Sequence, residues 1–388
     1  MTGQATRRPP RPAVDADRRP FAPPNLRAER RTSVCIVAPS LDILGGQAVV
    51  AQRLLSKLAT ESQLQVAFLP HNPRLPGVLR YLQRVKYVRT LSTSVAYVAL
   101  LLRELRKHDI VHVFSAAYWS FILAPAPAIL IGRWFGKRVI LNYRSGTAHD
   151  HLTRWPRSTS AVLRRVDQII VPSNYLVDVF GQFGYRATPV CNFVNVDAIA
   201  YRARRALSPV FLSNRNFAPL YNVGCVLRAF ALIQASVPTA RLIVAGDGEE
   251  REMLHRLAEE LQLKNVEFLG AVPPERMPGL YDQADVYLNA PNIDNMPNSV
   301  VEAFAAGLPV VTSRAGGIPY IVTHEETGLL VDCNDHEAMA NSALRLLRNS
   351  DLAIELAGRA REEVLAKYTW EAVRRGWLRA YGVEDSVA

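Results

Sequence analysis

Short runs of Val, Ile, Leu and small apolar residues recur along the chain. Each ends in a turn-prone segment and is followed by a stretch with helical spacing. "TSVCIVAPS" opens the series, followed by the loop "LDILGG" and the helical pattern "QAVVAQRLLSKLA"; "DIVHVFS", "RVILNYRSG" and "QIIVPS" repeat the scheme. A second series starts near Pro209 with "PVFLSN", "ARLIVAGDG", "VEFLG", "ADVYLNA", "LPVVTS" and "GLLV". Runs that are apolar throughout predict strands covered on both faces, and their alternation with helices predicts parallel sheets. Two such series predict an α/β chain of two doubly wound, Rossmann-like domains facing across a cleft, with ligands at the carboxyl ends of the strands. The expected domains are 33–200 and 206–365. The boundary falls near 195–208, where "DAIAYRARRALSP" reads as a linker.

The 388 residues are enough for about two domains of roughly 150 residues each. Residues 1–32 hold six Pro and eight Arg and predict a disordered arm without the apolar core of a secretory signal. Cys35, Cys191, Cys225 and Cys333 are scattered, which fits a reducing compartment rather than a disulfide framework or zinc site. Residues 113–132, "VFSAAYWSFILAPAPAILIG", carry no charge and are long enough to span a bilayer. Pro125 and Pro127 interrupt the run and a strand pattern overlaps its start, so a buried strand and helix are expected. Net charge is +11, unevenly placed: residues 33–205 carry 22 basic and 8 acidic side chains, residues 206–388 carry 16 and 24. The first half is thus expected to meet something anionic.

"NIDNMPNSVVEAFAAGLPVV", residues 292–311, sets Asp294 and Glu302 on either side of a Pro-started helix. With a start at Met296–Pro297, the amides of Asn298, Ser299 and Val300 and the helix dipole make an anion site suited to a diphosphate. Glu302, about one turn on, can accept hydrogen bonds from the two hydroxyls of a ribose. The plainer alternative is a helix capped by Asp294 or Asn295 with a solvated Glu302. "AGDGEE" places Gly246, Asp247 and Gly248 in a tight turn at a strand end. Gly45 and Gly46, lacking a Cβ, let backbone approach a phosphate or sugar after the first strand.

The order and spacing of "PVFLSN", "RLIVAGDGEE", "VEFLGAV", "LYDQADVYLNAP", "VVEAFAAGLPVVTS", "AGGIP" and "ETGLLV" over 209–348 resemble the family-4 retaining glycosyltransferases of the GT-B fold. The resemblance extends over 33–382. "YTWEAVRRGWLRAYG" looks like the closing helix, within 366–388, that returns to the first domain in this fold. The resemblance implies a nucleotide-sugar donor held mainly by the second domain, and a glycan or lipid-linked acceptor meeting the first. It implies transfer with retention, no cofactor and no metal. It makes Arg215 a neutraliser of the leaving diphosphate, Asp294 a residue facing the sugar, and Gly45, Gly46, Tyr221, Gly246, Asp247, Gly248, Asn295, Asn298, Ser299 and Glu302 donor contacts.

Four positions depart from the family's pattern. Asp294 replaces a Glu, Tyr221 stands where the family has a Lys, Tyr320 replaces an acid, and Tyr143 and Arg144 stand where the family often has a His. Tyr221 can donate a hydrogen bond there but brings no cation, and Arg144 is expected to supply the missing charge. His149 and His151 are two ligands at most, weak as a metal pair. The only Asp-x-Asp, Asp15–Asp17, lies in the arm. "RYLQRVKYVRTL" (80–91) puts Leu82, Val85 and Val88 on one helical side and Arg80, Arg84 and Lys86 elsewhere, similar to a basic amphipathic helix on an anionic membrane. No nucleic-acid motif accompanies the charge. The expectation is a cytoplasmic glycosyltransferase, peripheral on the inner face of the plasma membrane. The rivals are a catalytically silent subunit that binds a nucleotide sugar or a partner enzyme, and a nucleotide-sugar epimerase.

Overall fold

The computed structural model describes residues 31–41, 45–75, 77, 81, 85–115 and 117–383. The first sheet is built from β1 (Thr32–Ala38), β2 (Leu64–Pro70), β3 (Ile110–Ser115), β4 (Arg138–Tyr143), β5 (Gln168–Val171) and β6 (Ala187–Pro189), in the order β2-β1-β3-β4-β5-β6. The second holds β7 (Val210–Ser213), β8 (Arg241–Ala245), β9 (Val266–Gly270), β10 (Val286–Asn289), β11 (Val310–Ser313) and β12 (Leu329–Val331), in the order β12-β11-β10-β7-β8-β9. Every pairing is parallel. The strand order reverses between β1 and β3 in one sheet and between β7 and β10 in the other. A crevice opens at the carboxyl ends of such strands, because the loops leave on opposite faces.

Side chains alternate between faces along a strand, and here both faces are apolar. From the first sheet, Cys35, Val37, Val111, Val113, Val139 and Leu141 enter one hydrophobic cluster. Their neighbours Val34, Ile36, Ile110, Phe114 and Ile140 enter another. The second sheet divides in the same way, Phe211, Val244 and Leu288 to one side and Leu212, Ile243 and Tyr287 to the other. Strands covered twice carry no alternating polar face, which explains the long apolar runs in the sequence, and the few buried polar side chains on them, such as His112 and Asn142, are hydrogen-bonded.

The helix Trp370–Tyr381 is capped by Thr369, whose Oγ1 accepts the Ala372 amide at 3.3 Å. Its Trp370, Val373, Trp377, Leu378 and Tyr381 share a cluster with Val34, Ile36 and Phe114 of the first sheet. Arg374 donates to both oxygens of Glu61 at 2.8 and 2.7 Å. This helix is therefore part of the first domain's core.

Segment 197–209 is no loose tether. Arg204, 4% exposed, donates to the carbonyls of Ala284, Ala306 and Tyr281 at 2.9, 2.6 and 2.7 Å. Arg202 donates to Asp285 at 2.6 Å. The segment is a strap fixed to the second domain, because these arginines satisfy carbonyls that would otherwise be buried unpaired. The uncharged run 113–132 forms the end of β3 and two helices, Tyr118–Leu123 and Pro125–Trp134, where the sequence pattern predicts a single one. Proline at 125 has no amide to continue the first helix. Among the described residues no helix is long and apolar enough to cross a membrane. The arm up to residue 30, Leu82, Arg80, Arg84 and the side chain of Lys86 lie outside the described residues.

Candidate active site

A cavity of about 620 Å³ lies between the domains at both switch points. Gly45, Gly46, Arg53 and Arg144 line it from the first domain, and Arg215, Asp294, Ser299 and Glu302 from the second. Arg215 follows β7 and Asp294 follows β10, so the two strands at the reversal carry them to the same spot. Arg215 Nη2 donates to Asp294 Oδ2, and Nη1 donates to Ser299 Oγ at 3.0 Å. Burial works most strongly against the arginine's charge, but Asp294, Tyr221 and Tyr287 together outweigh it, and its pKa lies above the ordinary arginine value. Its Nε is buried without a partner among the described residues.

Two glycines let this corner close. A Cβ on Gly246 would lie 1.9 Å from the Arg215 carbonyl oxygen, so only glycine admits the loop that carries the arginine. Gly316, at φ +51°, presses on Asp294, whose carbonyl oxygen would be 2.2 Å from a Cβ there. In the sequence Gly316 is only one letter of "AGGIP", with no sign of the loop it packs against. Gly45 and Gly46 have open space beside them, facing the cavity. Asp247 also lines the cavity, with its Oδ1 accepting the Gly248 amide at 2.9 Å.

The helix Asn298–Ala305 starts after Pro297. The Val300 amide is spent on the Pro297 carbonyl at 3.2 Å. Of the three amides expected to be free, those of Asn298 and Ser299 remain so among the described residues. Glu302 is not solvated. Its Oε1 accepts from Arg53 Nη2 at 2.6 Å and its Oε2 from the Tyr281 hydroxyl at 2.8 Å; that hydroxyl accepts from Asn214 Nδ2 at 2.7 Å. Nothing in the sequence singles out Arg53, Tyr281 and Asn214 as site residues. A lone arginine in a helical pattern carries no sign that it crosses to another domain.

Tyr221 lines the cavity. Its ring lies under the Arg215 guanidinium, with Cζ 4.0 Å from the centroid, a cation–π contact that flattens and fixes the arginine. Asn295 is 3% exposed, lines the cavity, and accepts from Ser173 Oγ of the first domain, so its side-chain oxygen is engaged across the domains. Tyr320 donates to Asp178 of the first domain at 2.6 Å and is not among the residues that line the cavity.

Arg144 sits in a chain of buried polar groups. Nη2 donates to Asn192 Oδ1 and Nη1 to Asn142 Oδ1, the latter at 3.3 Å. Asn142 Nδ2 lies 3.1 Å from His112 Nε2, and His112 Nδ1 lies 2.8 Å from the Tyr381 hydroxyl. On the other side, Asn192 Nδ2 donates to the Met296 carbonyl at 3.1 Å and to Asn298 Oδ1 at 2.8 Å. The relay runs from the last helix of the chain to the start of the helix Asn298–Ala305. Burial pushes the Arg144 pKa down to about 10, so it stays charged at neutral pH. Burial, with Arg144 second, pushes His112 down to about 3.

His149 meets Phe183 edge-on, with ring centroids 5.5 Å apart, while His151 is buried against Tyr143, 2.9 Å from its hydroxyl. Among the described residues no three His, Cys, Asp or Glu side chains gather as a metal cluster.

Two facing parallel α/β domains with a basic and acidic site at their switch points define the GT-B class of glycosyltransferases. Solved structures share this architecture. HepE of Anabaena, determined with UDP and glucose, superposes with a TM-score of 0.72 at 16% identity, over 91% of this chain and 100% of that one. Sucrose-phosphate synthase of Thermosynechococcus elongatus gives 0.73 at 20% identity, over 91% and 98%. The profile for "Glycosyl transferases group 1" matches residues 202–363 and that for "Glycosyltransferase Family 4" residues 44–198. The two matches together span most of the chain, and the chain belongs to family 4 of the glycosyltransferases. A GDP-mannose-dependent alpha-(1-6)-phosphatidylinositol monomannoside mannosyltransferase of Mycobacterium tuberculosis is 28% identical over 299 residues, 70% of this chain and 75% of the relative. The lipopolysaccharide core biosynthesis glycosyltransferase LpsE of Rhizobium meliloti is 26% identical over 246 residues, 61% and 70%.

Proposed function

We propose that the chain moves a sugar from a nucleotide sugar to a glycan or lipid-linked acceptor, with retention of configuration and without a metal clamp. The observation that carries this reading is the placement of Arg215 and Glu302 at one helix. Arg215 reaches the Ser299 hydroxyl in its first turn, where the Asn298 and Ser299 amides start the helix, and Glu302 lies one turn on. A cation with two amides suits a diphosphate, and a carboxylate beyond it suits the hydroxyls of the attached ribose.

In this reading the bond from the sugar's anomeric carbon to the phosphate oxygen breaks. The acceptor oxygen bonds to that carbon on the same face, and the acceptor proton passes to the departing phosphate oxygen. No protein nucleophile is needed. Asp294 supports this assignment, since its carboxylate is already engaged by Arg215 and by the Asn295 amide at 2.7 Å. Arg215, the helix amides and Arg144 would carry the charge of the leaving group, although Arg144 is tied to Asn192 and Asn142. Two relatives, a mannosyltransferase of a phosphatidylinositol mannoside and a lipopolysaccharide core enzyme, favour an acceptor joined to lipid.

The test begins with a thermal-shift panel of UDP-, GDP- and ADP-sugars. A ligand at 100 times its dissociation constant stabilises the fold by about 2.7 kcal/mol. Acceptor-dependent release of nucleotide in the presence of a chelator then checks the transfer, and NMR of the new linkage checks its anomeric configuration. Nucleotide-sugar binding without turnover on any acceptor would favour the silent-subunit reading. Conversion of the donor sugar without an acceptor would favour the epimerase. An inverted product overturns retention.

A further inference from the structure

The first domain has a face whose polarity is reversed. On the helix Lys86–Glu104, Tyr87, Leu91 and Val95 follow at four-residue spacing and are 82%, 69% and 62% exposed. Ala99 continues the exposed row, while Ser92, Thr93 and Ser94 are half-buried. A helix on a water-soluble domain turns one apolar stripe inward. This one turns Tyr97 and Leu101 inward and a second apolar stripe outward. The two short helices beside it repeat the arrangement. Trp119 and Leu123 are exposed on one, Leu130 and Trp134 on the other, each pair four residues apart. The three helices pack together, and the Tyr97 hydroxyl donates to the Ala124 carbonyl at 2.9 Å. Among the described residues, ten of the seventeen exposed large apolar side chains fall within 81–134, so they form a patch and not a scatter.

We propose that this face docks the first domain on an anionic lipid surface. The proposal deepens the transferase reading and rests on it only for its purpose, which is to present a lipid-linked acceptor at the cleft. Charge chooses the occupant. Residues 33–205 carry 22 basic against 8 acidic side chains, so a second copy of this domain would be repelled and an anionic headgroup layer attracted. Arg89 is exposed on the same helix as the stripe. The tips of the patch are Tyr87, Trp119 and Trp134, rings with an apolar body and a polar atom that settle at headgroup depth. Position fits as well. The helix Tyr118–Leu123 begins within three residues of the carboxyl end of β3, the end at which the cavity opens. With no helix among the described residues able to cross a bilayer, the contact is interfacial.

The experiment is flotation of the full chain with vesicles of phosphatidylcholine, with and without phosphatidylglycerol. The wild type is expected to float with the anionic vesicles. Leu91→Gln combined with Trp134→Ser should lower the partition coefficient at least about tenfold, from the apolar area no longer buried. Arg89→Glu should lower it most at low salt. An unchanged melting temperature and an unchanged nucleotide-sugar shift show that the variants fold. Brominated acyl chains should quench tryptophan fluorescence in the wild type and less in Trp134→Ser. Failure of the wild type to bind anionic vesicles, or equal binding by the double variant, overturns the proposal. A wild-type dimer that the double variant breaks assigns the face to a second copy instead and also overturns it. Vesicle binding is read without turnover, so failure of the transferase reading leaves this result standing, and transfer to a water-soluble acceptor is read without vesicles.

Discussion

Arg53 Nη2 lies 2.6 Å from Glu302 Oε1, joining the helix Gly46–Leu58 of the first domain to the helix that borders the cavity in the second. Tyr281 holds the other oxygen of the same carboxylate. Each carboxylate oxygen has two acceptor positions, so both can still receive a ribose hydroxyl while the protein partners stay in place. The pair therefore fixes Glu302 in the wall of the cavity and ties the domains together at that point.

This arrangement separates two variants. Glu302→Gln keeps the shape but loses the charge, and should weaken nucleotide binding by about 1–3 kcal/mol. Arg53→Gln keeps the carboxylate but frees it to turn, and should cost about 1 kcal/mol in the same titration. Calorimetry with the free nucleotide checks both. Unchanged affinity in Glu302→Gln removes the ribose from this carboxylate.

Arg215 and Tyr221 are expected to differ sharply. Arg215→Ala removes a buried charge aimed at the leaving group and should cut turnover by at least ~10². Tyr221→Phe keeps the ring under the guanidinium, so turnover should change little, whereas Tyr221→Ala removes the contact and should cost about 0.5–2 kcal/mol. Tyr221→Lys restores the residue the family resemblance implies. In this chain, however, it would set a second cation where the ring now lies 4.0 Å from Arg215. Lower turnover than in Tyr221→Phe is expected. Acceptor-dependent nucleotide release measures all four, and wild-type turnover in Arg215→Ala would mean that the diphosphate lies elsewhere.

What is legible in the sequence is what it encodes locally. Strands covered on both faces are largely apolar, so "ARLIVAG" and "RVILNY" identify themselves as buried strands, with Asn142 in the second kept by its polar partners. The Pro-started helix with Glu302 one turn in is equally readable, because caps and periodicity are short-range. The partners of Glu302 are not. Arg53 stands 249 residues away, and nothing in "AQRLLSK" distinguishes a residue that reaches another domain from a solvated one. The same holds for Asn192, an ordinary loop asparagine in sequence. For Tyr221 the sequence supplies the position but not the geometry, and a ring can act by its face or by its hydroxyl. The glycines at 246 and 316 are visible as turns, while the backbones they admit belong to loops that follow other strands.

Asn192 is the link that carries the first domain's relay to the second. It accepts from Arg144 and donates to Met296 and Asn298. Asn192→Asp keeps the acceptor for Arg144 and loses the donor to the second domain. Asn192→Ala loses both. Turnover should fall in the order wild type, Asp, Ala, with kcat affected more than KM, since Arg144 is left without its orienting partner in the cavity. Equal loss in KM alone would reduce Asn192 to a domain contact.

The relay also sets a pH dependence. His112 is buried and neutral, with a pKa pushed from 6.5 down to about 3, first by burial and then by Arg144. His151 is pushed from 6.5 down to about 4 by burial, against a smaller opposing effect of Asp150. In the unfolded chain both return to ordinary values and take up protons near pH 6.5. Between there and about pH 4 the unfolded state therefore binds two more protons than the native state, and stability falls as the pH falls. Each histidine contributes up to about 1.4 kcal/mol per pH unit in that range. Below about pH 4 His151 also titrates in the folded state, and only His112 continues the slope, down to about pH 3. His112→Gln removes one of the two contributions, so its stability should be lower than wild type at neutral pH but should fall less steeply on acidification. Urea midpoints taken at intervals from pH 7 to pH 4 measure this. Parallel curves for the two proteins would mean that His112 is already charged in the native state, and that the buried chain from Tyr381 to Arg144 is held by a different set of protons.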